Sequence, residues 1–168
     1  MSKNPQQASG RLGQYDFSIS RLQQLNPTNA LYFGFSGQWS NTNLDTSQQF
    51  YLGGPTTVRG YDVGAVAGAQ GNLATIEFRH DLTIPLLPGA WQLSLFADSG
   101  HVQEFKTTFA PGPNSGRVTG AGVGMHWSAP DNWAVSLSVA TPIGSTPALV
   151  GPDVNTSTRA CFQIQKGF

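Results

Sequence analysis

Asn29-Ala30-Leu31-Tyr32-Phe33-Gly34-Phe35-Ser36-Gly37-Gln38-Trp39-Ser40 changes character at every second residue. Leu31, Phe33, Phe35 and Trp39 share one parity. Tyr32, Gly34, Ser36 and Gln38 share the other. Successive side chains of an extended chain point to opposite faces, so this pattern predicts a strand with one apolar face and one small or polar face. Working outward, the same alternation returns six times. Residues 73–84 set Ala74, Ile76, Phe78 and Leu82 against Thr75, Glu77, Arg79 and Asp81. Residues 91–98 oppose Trp91, Leu93 and Leu95 to Gln92, Ser94 and Asp98. Residues 118–128 oppose Ala121, Val123, Met125 and Trp127 to Gly120, Gly122, Gly124 and His126. Residues 132–140 oppose Trp133, Val135, Leu137 and Val139 to Ala134, Ser136 and Ser138. The last strand, 158–168, sets Ala160, Phe162, Ile164 and Phe168 against Arg159, Gln163 and Gln165. A weaker strand runs from about Gln14 to Gln23, with Tyr15, Phe17 and Ile19 on one face. No amphipathic helix is evident, so the fold class is all-β.

The connections alternate in length. Asn26 to Asn29, Pro85 to Ala90 and Ala129 to Asn132 are short and rich in turn formers. Residues 41–72, 102–117 and 141–157 form long loops. Short turns at one end and long loops at the other describe an antiparallel transmembrane β-barrel of the outer-membrane type. Trp91, Trp127, Trp133 and Phe168 lie next to the short turns, where an interfacial aromatic girdle belongs. Strands of about ten residues cross a bilayer when tilted. A soluble sandwich would alternate too, but its outer face would carry more charge than these Gly, Ser, Thr and Gln faces.

Bulk composition agrees without deciding. Charged residues make up 11% of the 168 residues, against about 25% in soluble domains. Mean hydropathy is −0.20, as expected when only alternate residues face lipid. Basic and acidic residues number 9 each, so no net charge steers the chain to nucleic acid. No stretch approaches the roughly 18 apolar residues of a membrane helix. The polar start, residues 1–10, has no signal-peptide core. It is expected to be disordered and to lie downstream of the natural start. Seven strands cannot close, because single-chain bacterial barrels have even numbers from about eight upward. An open edge in lipid leaves backbone groups unsatisfied. Residues 11–168 are therefore expected to be the C-terminal, seven-strand portion of an incomplete barrel.

The long loop carries Phe50-Tyr51-Leu52-Gly53-Gly54-Pro55-Thr56-Thr57-Val58-Arg59-Gly60-Tyr61. It resembles the Leu-Gly-Gly…Val-Arg-Gly-Tyr segment of the two-partner secretion transporters, the haemolysin-activator (TpsB) proteins, within the outer-membrane assembly-factor superfamily. Phe96-Ala97-Asp98-Ser99-Gly100 resembles the strand motif of the same family. Gly37-Gln38-Trp39-Ser40 and the run from Gly71 to Leu82 are similar to it as well. The resemblance spans nearly the whole chain from about residue 11.

The resemblance implies a barrel preceded by periplasmic POTRA domains, with this chain supplying its last seven strands. It implies that loop 41–72 folds back into the lumen, where its arginine, here Arg59, meets the motif aspartate, here Asp98. The residues themselves are compatible with this. Asp98 and Phe96 have inward parity, and a guanidinium offers a carboxylate a two-pronged fork. Glu77, Arg79 and Asp81 also have inward parity and could compete for the pair or extend it. Gly53, Gly54 and Gly60 permit sharp turns at the tip. The bland alternative makes Arg59 a solvated loop residue.

The resemblance further implies a pore that moves a large secreted exoprotein across the bacterial outer membrane. The other partners it implies are the lipid bilayer and the barrel assembly machinery. The C-terminus would lie on the periplasmic side. Phe168, Ile164 and Phe162 match an outward-facing terminal assembly signal, from which Lys166 departs. Rival readings are an outer-membrane insertase of the same superfamily and a passive porin-like or adhesive barrel. No enzyme, cofactor or metal is expected. His80, His101 and His126 lack ligand spacing, Asp45 and Asp153 are expected to be solvated, and Cys161 alone forms neither a disulfide nor a cluster. No helix follows the Gly120–Gly124 run, so it suits close packing of a strand against an inserted loop or a neighbouring chain better than phosphate binding.

Overall fold

A computed structural model describes residues 13–85, 87–108, 111–150 and 157–167. The expectations for residues 1–10, Asp153 and Phe168 fall outside these residues. These residues form nine strands: β1 Gln14–Asn26, β2 Asn29–Ser40, β3 Phe50–Leu52, β4 Val66–Gly68, β5 Gln70–Leu82, β6 Ala90–Gln103, β7 Ser115–Ser128, β8 Trp133–Pro142 and β9 Arg159–Lys166. Seven of them form one sheet in the order β1-β2-β5-β6-β7-β8-β9, and every pair is antiparallel. The sheet stays open, with β1 and β9 at its edges.

Tight turns set the register at one end. The Asn26 side-chain oxygen accepts hydrogen bonds from the backbone N–H of Thr28 (3.0 Å) and of Asn29 (2.9 Å), which closes the β1–β2 turn. Asp131 and Asn132 adopt positive φ between β7 and β8, a conformation their short polar side chains tolerate. The Ala129 N–H donates across that turn to the Trp133 carbonyl (2.8 Å).

β1, β6 and β7 are longer than the sequence pattern suggested, β2 matches it, and β9 is shorter, running from Arg159 to Lys166. β1 is a full 13-residue strand and pairs with β2 along its length. β6 and β7 each run 14 residues, so their connection shrinks to 104–114. The extra length supports the long loop: Val102 and Val118 lie under it, fully buried. The loop between β2 and β5 carries a hairpin of its own, β3–β4, which the alternation did not reveal because each of its strands is three residues long.

Burial is inverted relative to a soluble domain. Phe33, Phe35, Ile76, Leu95, Val123 and Phe162 are exposed on the outer face, as lipid contact requires. Among the described residues, a buried apolar cluster lies on the other face, between the loop and the wall: Leu52, Val58, Tyr61 and Val66 from the loop against Val102, Val118 and Val150. Aromatic pairs mark both ends of the strands. Trp91 stacks on Trp127 near the short turns, with ring centroids 5.4 Å apart. Tyr15 packs against Trp39 near the long loops at 5.7 Å.

Candidate functional site: a loop fastened across the inner face

The tip of the long loop is a compact turn. Gly53, Gly54 and Gly60 all have φ near +100°, where side chains with a Cβ are strained. The Thr57 hydroxyl donates to the Gly53 carbonyl and accepts from the Gly53 N–H, both at 2.9 Å. The Gly54 N–H donates to the Tyr61 carbonyl at 3.2 Å. These bonds satisfy polar backbone that would otherwise be buried without partners. They leave Val58 and Tyr61 pointing into the wall, both buried, and Arg59 pointing along it.

Arg59 meets Asp98 as a two-pronged fork. Nε donates to Oδ2 at 2.7 Å and Nη2 donates to Oδ1 at 2.9 Å. The Arg59 backbone N–H adds a third bond to Oδ2 at 3.2 Å. The Thr75 hydroxyl donates to Oδ1 at 3.0 Å from the neighbouring strand. Asp98 is 1% exposed, so its charge depends on these donors; removing the cation from such a pair costs about 3–5 kcal/mol.

The guanidinium has a further partner on each side. Its Nη1 donates to Glu77 Oε2 at 2.9 Å, and Arg79 Nε donates to the other oxygen of Glu77 at 2.8 Å. The Phe96 ring lies beneath the Arg59 guanidinium carbon at 3.3 Å from its centroid, a stacking that favours the cation. Two arginines and two carboxylates therefore form one balanced chain along β5 and β6. Burial pulls the Arg59 pKa down, and its bonds and charges with Asp98 and Glu77 more than offset this, so the group stays above its ordinary value. Burial pushes the Tyr61 phenol up, opposed by a hydrogen bond from the Thr119 backbone.

Close approach to the wall depends on missing side chains. A Cβ on Gly120 would collide with the Arg59 carbonyl, and one on Gly100 with the Leu52 side chain. Gly100 of the strand motif thus seats the loop, as does Gly120 of the glycine-rich run.

The structure thus brings together Gly53, Gly54, Val58, Arg59, Gly60, Tyr61, Glu77, Phe96, Asp98 and Gly100. Asp81 lies apart from Arg59 and accepts a hydrogen bond from Gln92 at 2.8 Å. Phe162 and Ile164 lie exposed on the outer face at the far edge, with Lys166 Nζ 4.8 Å from the Trp133 ring centre. Below the fork, toward the short turns, a cavity of about 540 Å³ opens, lined among others by Gln92, Ser94, His126, Ser136, Cys161 and Gln163.

The motifs did not single out Asp62 and Arg159. They form a second fork, with Nη1–Oδ1 and Nη2–Oδ2 both at 2.7 Å. The signal was present as the inward parity of Arg159 and an acidic residue directly after the Arg-Gly-Tyr motif. Nothing in local spacing joins positions 97 residues apart.

Solved structures with a similar fold include CdiB from Escherichia coli, with a TM-score of 0.78 at 19% identity over 97% of this chain and 29% of that one. CdiB from Acinetobacter baumannii has a TM-score of 0.65 at 20% identity over 91% of this chain and 26% of its own. Among curated proteins, the heme/hemopexin transporter protein HuxB of Haemophilus influenzae strain 86-028NP is 31% identical over 132 residues, covering 77% of this chain. The HuxB of strain Rd is 32% identical over the same length. The chain spans 23% of the length of these relatives. The model of the haemolysin secretion/activation proteins ShlB/FhaC/HecB matches residues 2–127, which include the loop motif and the strand motif. An open antiparallel sheet with apolar side chains outward, a loop fastened inside it and a match over most of the sequence have one meaning: this chain belongs to the haemolysin secretion/activation family of ShlB, FhaC and HecB.

Proposed function

We propose that this chain forms the C-terminal strands of an outer-membrane pore that exports a large, haemolysin- or adhesin-type partner protein, with loop 41–72 as the plug of the pore. The observation that carries the reading is the position of Arg59. The loop spends its arginine on a buried wall carboxylate, Asp98, rather than on water. A loop held this way blocks a lumen until something displaces it. The surface beneath supports the same reading. Gln92, Ser94, Ser136 and Gln163 offer uncharged hydrogen-bonding groups, which let an unfolded chain exchange contacts without being held. No nucleotide supplies energy outside the inner membrane, so folding of the exported protein beyond the barrel is the proposed driving force.

In this reading the short turns and the C-terminus face the periplasm, and the long loops face outward. Phe33, Phe35, Leu95 and Phe162 contact acyl chains. Phe162 and Ile164, exposed on edge strand β9, provide the outward residues that the barrel assembly machinery would read by strand addition. Phe168 is assigned to the same signal.

Charge exchange tests the reading. In the full-length transporter, Arg59→Asp and Asp98→Arg should each abolish most secretion of the partner protein. The double exchange should recover a measurable part of it, with the barrel still folded in all three. No recovery in a folded double variant would show that the pair does not act by direct contact.

A further inference from the structure

Residues Arg59 to Asp62 cross the inner face from strand to strand. The Arg59 guanidinium lies on β5 and β6 through Glu77 and Asp98. The Arg59 carbonyl rests on Gly120 of β7. A Cβ on Gly60 would lie 3.0 Å from the Thr141 backbone carbon and 3.1 Å from the Pro142 nitrogen, on β8. Asp62 then reaches Arg159 at the start of β9. Strands lie about 4.8 Å apart and an extended chain advances about 3.4 Å per residue. Four residues with a long side chain at the first of them suffice for this transverse run.

The strap is therefore fastened at both ends by guanidinium–carboxylate forks of opposite polarity. At the first fork the loop supplies the arginine. At the second it supplies the carboxylate. The two ends differ in burial: the Asp98 side chain is fully shielded, whereas those of Asp62 and Arg159 are 42% and 26% exposed. Water weakens the second fork and leaves the first strong. The second fork also ends on β9, which at 8 residues is the shortest strand of the seven-stranded sheet. Arg159 lies beyond the residues 2–127 that the family model matches.

We infer that Asp62 and Arg159 are positioning residues that form a releasable latch between the loop and the terminal strand, setting how readily the loop leaves the lumen. This rests on the plug reading above. The weaker fork opens first, and its loss frees one end of the strap while Arg59 still holds the other.

The test is the conductance of the full-length transporter in planar bilayers. Asp62→Asn and Arg159→Gln should each raise the frequency of large openings about fivefold, the upper end for a partly exposed pair. The exchange of Asp62→Arg with Arg159→Asp should bring it back toward the starting value. The effect of Asp62→Asn should shrink as salt rises from about 0.1 to 1 M, because screening already weakens the parent pair. Arg59→Ala separates the two ideas. If it raises openings while Asp62→Asn and Arg159→Gln do not, the latch is wrong and the plug stands. If Arg59→Ala has no effect either, the plug reading fails and the latch with it.

A cross-link guards against misfolded variants. In a Cys161→Ser background, Asp62→Cys and Arg159→Cys should be joined by a bis-methanethiosulfonate reagent with a spacer of about 8 Å, because a direct disulfide spans Cα atoms no more than about 7 Å apart. The link should suppress openings below the parent level, reversed by reductant. A linked pair that opens as often as the parent would overturn the latch.

Discussion

The inner face of the sheet has two halves of opposite character. On the long-loop side, Leu52, Val58, Tyr61 and Val66 pack on Val102 and Val118 and exclude solvent. On the short-turn side, Gln92, Ser94, His126, Ser136 and Gln163 border an open cavity. One half is built like the core of a soluble protein and the other like a water channel. The boundary falls near one transverse row, where Thr75 pairs with Asp98, Asp98 with Gly120 and Gly120 with Pro142. The Arg59 fork sits on that row. Polar atoms at the boundary fix the depth of the apolar loop, because any slip along the strands would break a buried ion pair.

The contrast can be broken most severely at its boundary. Asp98→Leu in the full-length transporter should lower stability by about 3–5 kcal/mol, since it leaves the arginine buried with only Glu77 as counter-charge. Denaturant unfolding of the barrel in detergent measures this. A loss under about 1 kcal/mol would mean that water reaches the site and the fork is ordinary surface chemistry.

Within the packed half, Leu52→Ala removes a fully buried side chain seated over Gly100. The cavity should cost about 2–4 kcal/mol by the same unfolding measurement. Protease cleavage within residues 41–72 should speed up in parallel. Unchanged cleavage would mean that the loop is held by its forks alone.

The open half should tolerate change. Gln163→Ala should shift stability by less than about 0.5 kcal/mol by the same unfolding measurement. A loss as large as that of Leu52→Ala would erase the distinction between the halves.

Much of this architecture is legible in the chain as written. Period-two alternation identifies the strands and separates outward Phe33, Phe78 and Leu95 from inward Glu77, Phe96 and Asp98. It does so because side-chain parity is a local property of extended backbone. The Val58-Arg59-Gly60-Tyr61 and Phe96-to-Gly100 motifs point to the loop and to its seat. Other features were not legible, each for a physical reason. The true ends of β6 and β7 depend on the loop that covers Val102 and Val118, so local pattern underestimates their length. Gly120 reads as one glycine among several until the Arg59 carbonyl is seen against it.

Parity, the seven strands of the wall and the identity of the motif residues were determined by the sequence alone, since each depends on neighbours along the chain. Only the tertiary structure decided which strand each loop residue lies on. It made Asp62 of the loop the partner of Arg159 on β9, across 97 positions. Lateral position in a sheet is set by the cumulative pairing of all the strands between, and no local stretch of residues encodes it.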